Sequence, residues 1–204
     1  AVIHETGHGL YEQGRMPSFL DLPVSKSISM GIHESQSLFW ERMIAQNIYF
    51  CEHYLDLFLE AFPKALQGVS LDTFYRAINK CSPSFIRVEA DEVTYPIHII
   101  LRYEIEKGLF DESINVQDLP DIWNDKMYEY LGITPPSDSQ GVLQDVHWSG
   151  GAFGYFPSYT LGAMYACQFY SKMSIELSDT PEKIKEGDFS YVKKWLNDNI
   201  HQKG

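Results

Sequence analysis

The chain has 204 residues, of which 16 are lysine or arginine and 28 are aspartate or glutamate, so its formal net charge is −12. This acidity argues against a nucleic-acid-binding surface, which needs clustered basic side chains, and no apolar run approaches the roughly 18 residues of a membrane span. Hydrophobic residues make up 44% of the chain and charged residues 22%, which is typical of a folded globular protein and not of a disordered one.

Apolar periodicity and stop signals predict a mostly α-helical chain with little sheet, forming one contiguous unit. The first helix is expected to end at Gly14, and a long helical region is expected from about Lys26 to Phe62. Phe85–Val88 is expected to be a short strand or an extended loop, and residues 141–154 form a glycine-rich irregular segment. The remaining helices are predicted at 71–80, 92–106, 116–131, 158–177 and 188–201.

Three cysteines, Cys51, Cys81 and Cys167, are odd in number and far apart in the sequence. They predict reduced core thiols in a cytoplasmic protein rather than a disulfide framework.

The segment His4-Glu5-Thr6-Gly7-His8 carries the strongest chemical signal. On a helix, residues i and i+4 share one face, so both imidazoles can reach a single cation. The glutamate between them is set around the helix, where it can act on water instead of binding the metal. Chance or core packing is the alternative, but histidine and glutamate on one short face are poor core residues.

A catalytic zinc site has three protein ligands and leaves one position for water. Glu34 follows His8 by 26 residues, and an antiparallel return of the chain would bring it over the first helix. An exposed helical acid fits its spacing equally well, so the third ligand stays open at this point. The candidates are Glu34, Glu89, Asp91, Glu92, Asp145 and His147.

Arg87 stands out among the other polar residues, because a planar guanidinium suits bidentate binding of a carboxylate such as a peptide C-terminus. A salt bridge to Glu89 or Asp91 is the alternative. The acids in the neighbouring polar segments are expected to be helix caps or supports for other site residues; they are Glu89, Asp91, Glu92 and Asp145.

Four segments in register closely resemble the carboxypeptidase Taq family of metallocarboxypeptidases: HETGH (4–8), HESQSLFWE (33–41), IRVEADEVTY (86–95) and GVLQDVHW (141–148). The resemblance covers essentially the whole chain. It implies an all-α, zincin-like HExxH metallopeptidase fold, a cytoplasmic enzyme and one divalent metal, zinc by default with cobalt or manganese as substitutes. It also implies peptide substrates with a free C-terminus and a homodimer in the complete enzyme, with no nucleic-acid or membrane partner.

The resemblance assigns site residues as well. It implies that His4, His8 and Glu34 bind the metal and that Glu5 is the catalytic acid and base. It places Arg87, His147 and Tyr159 in segments associated with substrate binding and catalysis, with Tyr155 as a close competitor of Tyr159.

The chain departs from the family in length. Family members are more than twice as long and carry HPF and DxRxT motifs upstream of HExxH, and neither motif occurs here. We therefore expect residues 1–204 to be a single catalytic, metal-binding region, the C-terminal part of a larger peptidase, and inactive or nearly so when alone.

The expected function is release of single C-terminal amino acids from peptides by metal-activated water. Two alternatives keep the metal site: an oligopeptidase or dipeptidyl carboxypeptidase with another cut position, and a catalytically silent metal-binding fragment.

Overall fold

The computed structural model describes residues 1–27 and 29–203, and this part of the chain is helical with no strand. The predicted all-α class is therefore confirmed. The helices are α1 (Val2–Gly14), α2 (Met30–Leu38), a π-helix (Phe39–Ala45), α3 (Ile48–Ala61), α4 (Leu71–Ile78), α5 (Tyr95–Phe110), α6 (Leu119–Leu131), α7 (Pro157–Glu176), α8 (Thr180–Glu186) and α9 (Ser190–Asn199). Short 3₁₀ turns cover Pro17–Phe19, Pro23–Ser25, Arg87–Glu89, Val116–Asp118 and His201–Lys203.

The chain separates into two compact units. The first unit comprises Ala1–Asn79 and Leu161–Gly204, and the second comprises Lys80–Thr160. The expectation of a single catalytic region over residues 1–204 stays a prediction. None of the helices in the described ranges is both long and apolar enough to cross a membrane.

Each unit has a core of its own. In the first unit, side chains from the π-helix pack with those of α7, α8 and α9 around Phe39, Met173, Ile184 and Leu196, all of which are fully buried. In the second unit, α5 and α6 pack around Leu101, Ile105, Trp123 and Met127. These cores hold the site-bearing helices in place.

The first two helices approach each other at a glycine. A Cβ atom added to Gly7 would lie 2.6 Å from both the carbonyl oxygen of Gln36 and the Cα of Ser37. Only a residue without a side chain fits there, so Gly7 lets the backbones of α1 and α2 come into direct contact. The face of α1 that carries His4 and His8 is thereby set against α2.

The structure corrects several predicted boundaries. The helical region expected from Lys26 to Phe62 is not continuous, because Asn47 caps α3: its side-chain oxygen accepts a hydrogen bond from the amide of Tyr49 at 3.0 Å. Phe85–Val88 is not a strand but leads into a 3₁₀ turn, α5 begins at Tyr95 instead of Glu92, and α8 was not predicted.

The cysteines also differ from expectation. Cys51 is buried in the first unit, as predicted, whereas Cys81 and Cys167 are exposed. The prediction of core thiols is therefore wrong for these two residues.

Candidate metal centre

Two helices of the first unit bring His4, His8 and Glu34 together. His4 and His8 lie one turn apart on α1, and Glu34 lies in the middle of α2, which Ser29 caps by accepting a hydrogen bond from the Ile32 amide at 3.2 Å. The Nε2 atoms of His4 and His8 lie 3.6 Å from Glu34 Oε1 and Oε2, respectively.

This donor set fits a divalent cation. Two imidazoles and a carboxylate are common ligands of catalytic zinc, with bonds of about 2.1 Å, and a tetrahedral arrangement of such bonds separates ligand atoms by about 3.4 Å. The two nitrogen–oxygen distances of 3.6 Å are close to that value, and one ligand atom from each residue lies within 4.8 Å of the other two. Glu34, one of the six candidates for the third ligand, lies beside both histidines.

The surroundings of the centre are strongly polar. Glu34 is only 6% exposed, and its charge helps to raise the pKa of His4, although the hydrogen bond with Glu41 has the larger effect. Burial lowers the pKa of His8, and the nearby imidazoles of His33 and His4 lower it further. His8 is therefore neutral at neutral pH, as a metal ligand must be.

A second layer of side chains contacts the far nitrogens of both histidines. His4 Nδ1 lies 2.7 Å from Glu41 Oε2, and His8 Nδ1 lies 2.6 Å from His33 Nδ1. His33 Nε2 lies in turn 3.0 Å from Glu12 Oε1. Burial opposes ionisation of Glu41, but its hydrogen bond with His4 and the charge of Arg42 hold its pKa below the usual value.

Sequence reasoning missed this second layer, although a signal was present for part of it. Glu12 follows His4 and His8 at the same spacing of four residues, so all three lie on one face of α1. His33 and Glu41 stand at the two ends of the HESQSLFWE segment. Nothing in their spacing shows that they contact imidazole nitrogens.

Glu5 lies beside the two histidines on the exposed side of α1. Among several stronger effects, its negative charge contributes to raising the pKa of both His4 and His8. Within the described part of the chain the Glu5 side chain forms no ion pair, and it is accessible to solvent, which suits a group that exchanges protons with water.

The second unit contains a buried pair of arginines around one carboxylate. Arg87 donates from Nε and Nη2 to Asp145, the shorter bond being 2.7 Å, and from Nη1 to the Tyr95 hydroxyl at 2.6 Å. Arg102 Nε donates to Asp145 Oδ2 at 2.7 Å. Burial opposes ionisation of Asp145, but Arg87 and Arg102 together hold its pKa below the usual value.

Arg87 therefore pairs with Asp145, not with Glu89 or Asp91 as the alternative interpretation supposed. Glu89 and Glu92 are exposed. Asp91 acts as a local cap, since its carboxylate accepts hydrogen bonds from the amides of Val93 and Thr94 at 2.9 Å. The contacts agree with the expectation of caps or supports for Asp91 and Asp145, but they give no such role to Glu89 or Glu92.

His147 and Tyr159 are neighbours in the second unit. His147 Nε2 lies 3.0 Å from the Tyr159 hydroxyl, and the ring of Tyr155 packs 5.5 Å from the imidazole. The guanidinium of Arg87 lies 4.8 Å from the centre of the Tyr159 ring. Three of the predicted site residues, Arg87, His147 and Tyr159, thus form one cluster with Asp145.

Comparison with known proteins gives matches that extend over the whole chain. The family model of the carboxypeptidase Taq (M32) metallopeptidase matches residues 1–204. The chain is 52% identical over 202 residues to carboxypeptidase 1 of Bacillus subtilis and 44% identical to thermostable carboxypeptidase 1 of Thermus thermophilus, covering 99% of this chain in both cases.

A solved structure of the carboxypeptidase from Pyrococcus furiosus superposes with a TM-score of 0.94 at 40% identity, covering 99% of this chain and 40% of that one. The chain spans 40% of the length of the Bacillus relative and 39% of the Thermus relative. The matched family model, which extends over every residue, shows that the chain belongs to the carboxypeptidase Taq (M32) metallopeptidase family.

Proposed function

We propose that this chain provides the metal centre of a carboxypeptidase that releases single amino acids from the C-termini of peptides. The observation that carries the proposal is the meeting of His4, His8 and Glu34, with ligand atoms within 4.8 Å of one another and Glu5 beside them. Family membership supports the same reaction class.

His4, His8 and Glu34 would hold one divalent cation, with zinc as the default and cobalt or manganese compatible with the same ligands. Such an ion would supply Lewis-acid chemistry for polarising a peptide carbonyl and for lowering the pKa of water to about 7. The buried carboxylate of Glu34 balances part of the added positive charge.

Glu5 is the proposed acid and base of the reaction. Its carboxylate takes a proton from the attacking water and then delivers it to the leaving amine. Its exposed position between the two histidines supports this role, since it can reach water without occupying a ligand position.

Arg87 is proposed to bind the terminal carboxylate of the peptide, which would make the enzyme exo-acting. With Asp145 and Tyr95 as partners, each terminal nitrogen of its guanidinium retains a second N–H for a further acceptor. Because the Arg87 side chain is only 5% exposed, substrate binding requires that a neighbouring aromatic ring, such as that of Tyr159, moves aside.

His147 and Tyr159 are proposed to donate hydrogen bonds to the oxygen that becomes negatively charged in the transition state. In well-studied enzymes a donor of this kind contributes roughly 3–4 kcal/mol. Tyr155 packs on the same imidazole and stays the alternative tyrosine.

A second candidate is a metal-binding chain without turnover. The burial of Arg87 favours it, because a substrate carboxylate has no access to the guanidinium in the described arrangement. This candidate predicts one bound metal per chain and no peptide cleavage.

The test combines metal content with product analysis. The chain is stripped with a chelator, reloaded with Zn²⁺ or Co²⁺, and incubated with a pentapeptide and with its C-terminal amide. We expect one metal per chain, lost in His8→Ala and kept in His53→Asn, whose imidazole instead bonds the Lys185 carbonyl at 2.8 Å. In the complete enzyme, single residues should be released from the free acid only, whereas the chain alone is expected to be inactive or nearly so.

Each other outcome decides between the candidates. Equal metal binding by His8→Ala would reject the centre. Release of dipeptides or internal cleavage would reject the carboxypeptidase and favour the related oligopeptidases. One bound metal without any turnover, in the complete enzyme as well as in this chain, would favour the silent candidate.

A further inference from the structure

The two histidines of the proposed centre are supported in different ways. His4 Nδ1 faces a carboxylate, Glu41, at 2.7 Å, whereas His8 Nδ1 faces another imidazole nitrogen, His33 Nδ1, at 2.6 Å. A carboxylate can only accept, so His4 carries its proton on Nδ1. Two neutral imidazoles in contact leave a choice, because either nitrogen can be the donor.

Glu12 removes that choice. His33 Nε2 lies 3.0 Å from Glu12 Oε1, and an ionised carboxylate accepts hydrogen bonds without donating them. The proton of His33 therefore lies on Nε2, and its Nδ1 keeps a lone pair. His8 must then donate from Nδ1, which leaves the lone pair of His8 on Nε2, the atom that faces Glu34.

The outer end of this chain of contacts is also fixed. Arg15 forms an ion pair with Glu12 and donates from Nη1 to the Ser25 carbonyl at 2.6 Å. The ring of Tyr11 packs edge-on against His33, with centroids 5.1 Å apart. His33 is thus held both at its edge and across its face, so its ring cannot easily turn.

We propose that His33, backed by Glu12, is a positioning residue that selects the Nδ1–H tautomer of His8 and aims its Nε2 at the metal. The proposal deepens the proposed function, because it rests on the metal centre assigned above. Partners of this kind orient ligand imidazoles and raise their basicity, and their loss commonly weakens metal binding by 10–100-fold.

The experiment measures metal affinity and ligand geometry instead of turnover. Zn²⁺ dissociation constants are obtained by competition with a chelating dye, and the visible absorption of the Co²⁺ form reports coordination geometry. We expect His33→Leu to weaken Zn²⁺ binding by about 10–100-fold and to change the Co²⁺ spectrum. His33→Asn keeps an acceptor near Nδ1, so it should recover part of the loss.

Glu12→Ala provides an independent measurement, since the Glu12 side chain is 42% exposed and its removal leaves no cavity in the core. It should weaken Zn²⁺ binding less than His33→Leu does, because the imidazole contact with His8 remains. His53→Asn, an exposed histidine on α3, is the matched control and should leave affinity and spectrum unchanged.

The outcomes separate this inference from the centre itself. If the parent chain binds no metal, or if His8→Ala binds as tightly as the parent, the centre is wrong. If the parent binds one equivalent while folded His33→Leu and Glu12→Ala show the parent affinity and spectrum, the centre stands and the positioning role is wrong. Should His33→Leu fail to fold, unchanged affinity in Glu12→Ala alone overturns the role of Glu12.

Discussion

At the scale of single residues, the position of Glu34 depends on a glycine that faces it. A Cβ atom added to Gly162 of α7 would lie 2.7 Å from Glu34 Cβ and 2.9 Å from its Cγ. Real Cβ atoms do not come this close, so the stem of Glu34 fills the space that a side chain at Gly162 would need. The absence of a side chain at Gly162 thus allows the Glu34 carboxylate to lie beside both His4 and His8.

Gly162→Ala should therefore push the Glu34 stem away from His4 and His8. Overpacking of this kind costs about 1–3 kcal/mol of stability, and the displaced carboxylate should weaken Zn²⁺ binding by about tenfold. Thermal unfolding and a Zn²⁺ competition titration measure the two effects. The control is Gly9→Ala on α1, where an added Cβ meets nothing within 4 Å; equal Zn²⁺ affinity in both variants would show that Gly162 does not position Glu34.

Glu5 permits a sharper separation of metal binding from chemistry. Glu5→Gln removes a proton acceptor but no proposed ligand, so metal content should stay near one per chain while turnover falls by about 10²–10⁴-fold. Elemental analysis and peptide release measure both quantities in a metal-loaded enzyme with measurable turnover. Glu60→Gln, which changes an exposed glutamate on α3 in the same way, should alter neither. Loss of metal from Glu5→Gln would instead make Glu5 a ligand.

The sequence indicated the inner residues of the proposed centre more directly than the surrounding ones. His4, Glu5 and His8 stand out because their spacing is local and places both imidazoles on one face of a helix. Glu34 was one of six candidates, since its approach to α1 depends on a turn between two helices that spacing does not determine. The contact of His33 with His8 could not be predicted, because the apolar periodicity of a helix does not show which polar side chains of two helices meet.

At the scale of helices, the contact between α1 and α2 is the element that builds the centre. Gly7 lies between the two ligand histidines, and an added Cβ would meet the backbone of Gln36 and Ser37 at 2.6 Å. Backbone atoms within a helix cannot swing aside as a flexible side chain can, so relief requires the two helices to separate.

Gly7→Ala is expected to lower stability despite the better helix propensity of alanine. Propensity alone would favour the variant by roughly 1 kcal/mol, whereas the overpacked contact costs about 1–3 kcal/mol. Zn²⁺ affinity should fall in the same variant, because the histidines and Glu34 lie on the helices that are forced apart. Urea unfolding and Zn²⁺ titration provide the measurement. If Gly7→Ala is more stable than the parent, the helices do not touch at this point.

The region predicted as one long helix is helical, but it is divided into separate helices. Apolar residues recur at helical spacing through Ile44, Ile48 and Cys51, and this apolar stripe correctly indicated helical structure. The stripe continues across the break before Ile48, because Asn47 caps a new helix without interrupting the apolar face. A polar cap within an amphipathic pattern is a weak signal, since asparagine is also tolerated inside helices.

At the scale of the whole molecule, each compact unit contains one buried histidine with a strongly lowered pKa. Burial lowers the pKa of His201 in the first unit to about 4, and the charge of Lys193 adds to this effect. In the second unit, burial and the charge of Arg102 lower the pKa of His98 to about 4. Both side chains are almost fully inaccessible, at 1% and 0% exposure.

The division into two units was not predicted, because its evidence lies in contacts between distant segments. Residues 161–204 pack with residues 1–79 to form the first unit, and the intervening residues 80–160 form the second. Helical periodicity describes single elements and contains no information on which of them share a core. The overall composition indicated one folded protein. No linker rich in glycine marks the boundary at residues 79 and 80 in the sequence.

The buried histidines predict a specific loss of stability in mild acid. In the unfolded chain a histidine takes up a proton near pH 6.5, whereas His98 and His201 resist protonation in the folded chain until about pH 4. The contribution of the two neutral imidazoles to the free energy of unfolding is therefore fully present above about pH 6.5. It declines as the pH falls and is lost below about pH 4. At 1.36 kcal/mol per pKa unit, each histidine accounts for up to roughly 3 kcal/mol.

Urea unfolding at a series of pH values, with a chelator present, measures this loss. His201→Gln and His98→Gln should each be less stable than the parent at neutral pH and should each show a smaller decline in unfolding free energy between about pH 6.5 and pH 4.5. Carboxylates titrate mainly below this range, and the other histidines are common to the parent and to both buried-histidine variants. His53→Asn, which removes an exposed histidine, is the control for the effect of the substitution itself. If the unfolding free energy of both buried-histidine variants declined with pH as steeply as that of the parent, neither imidazole would be held neutral by the fold.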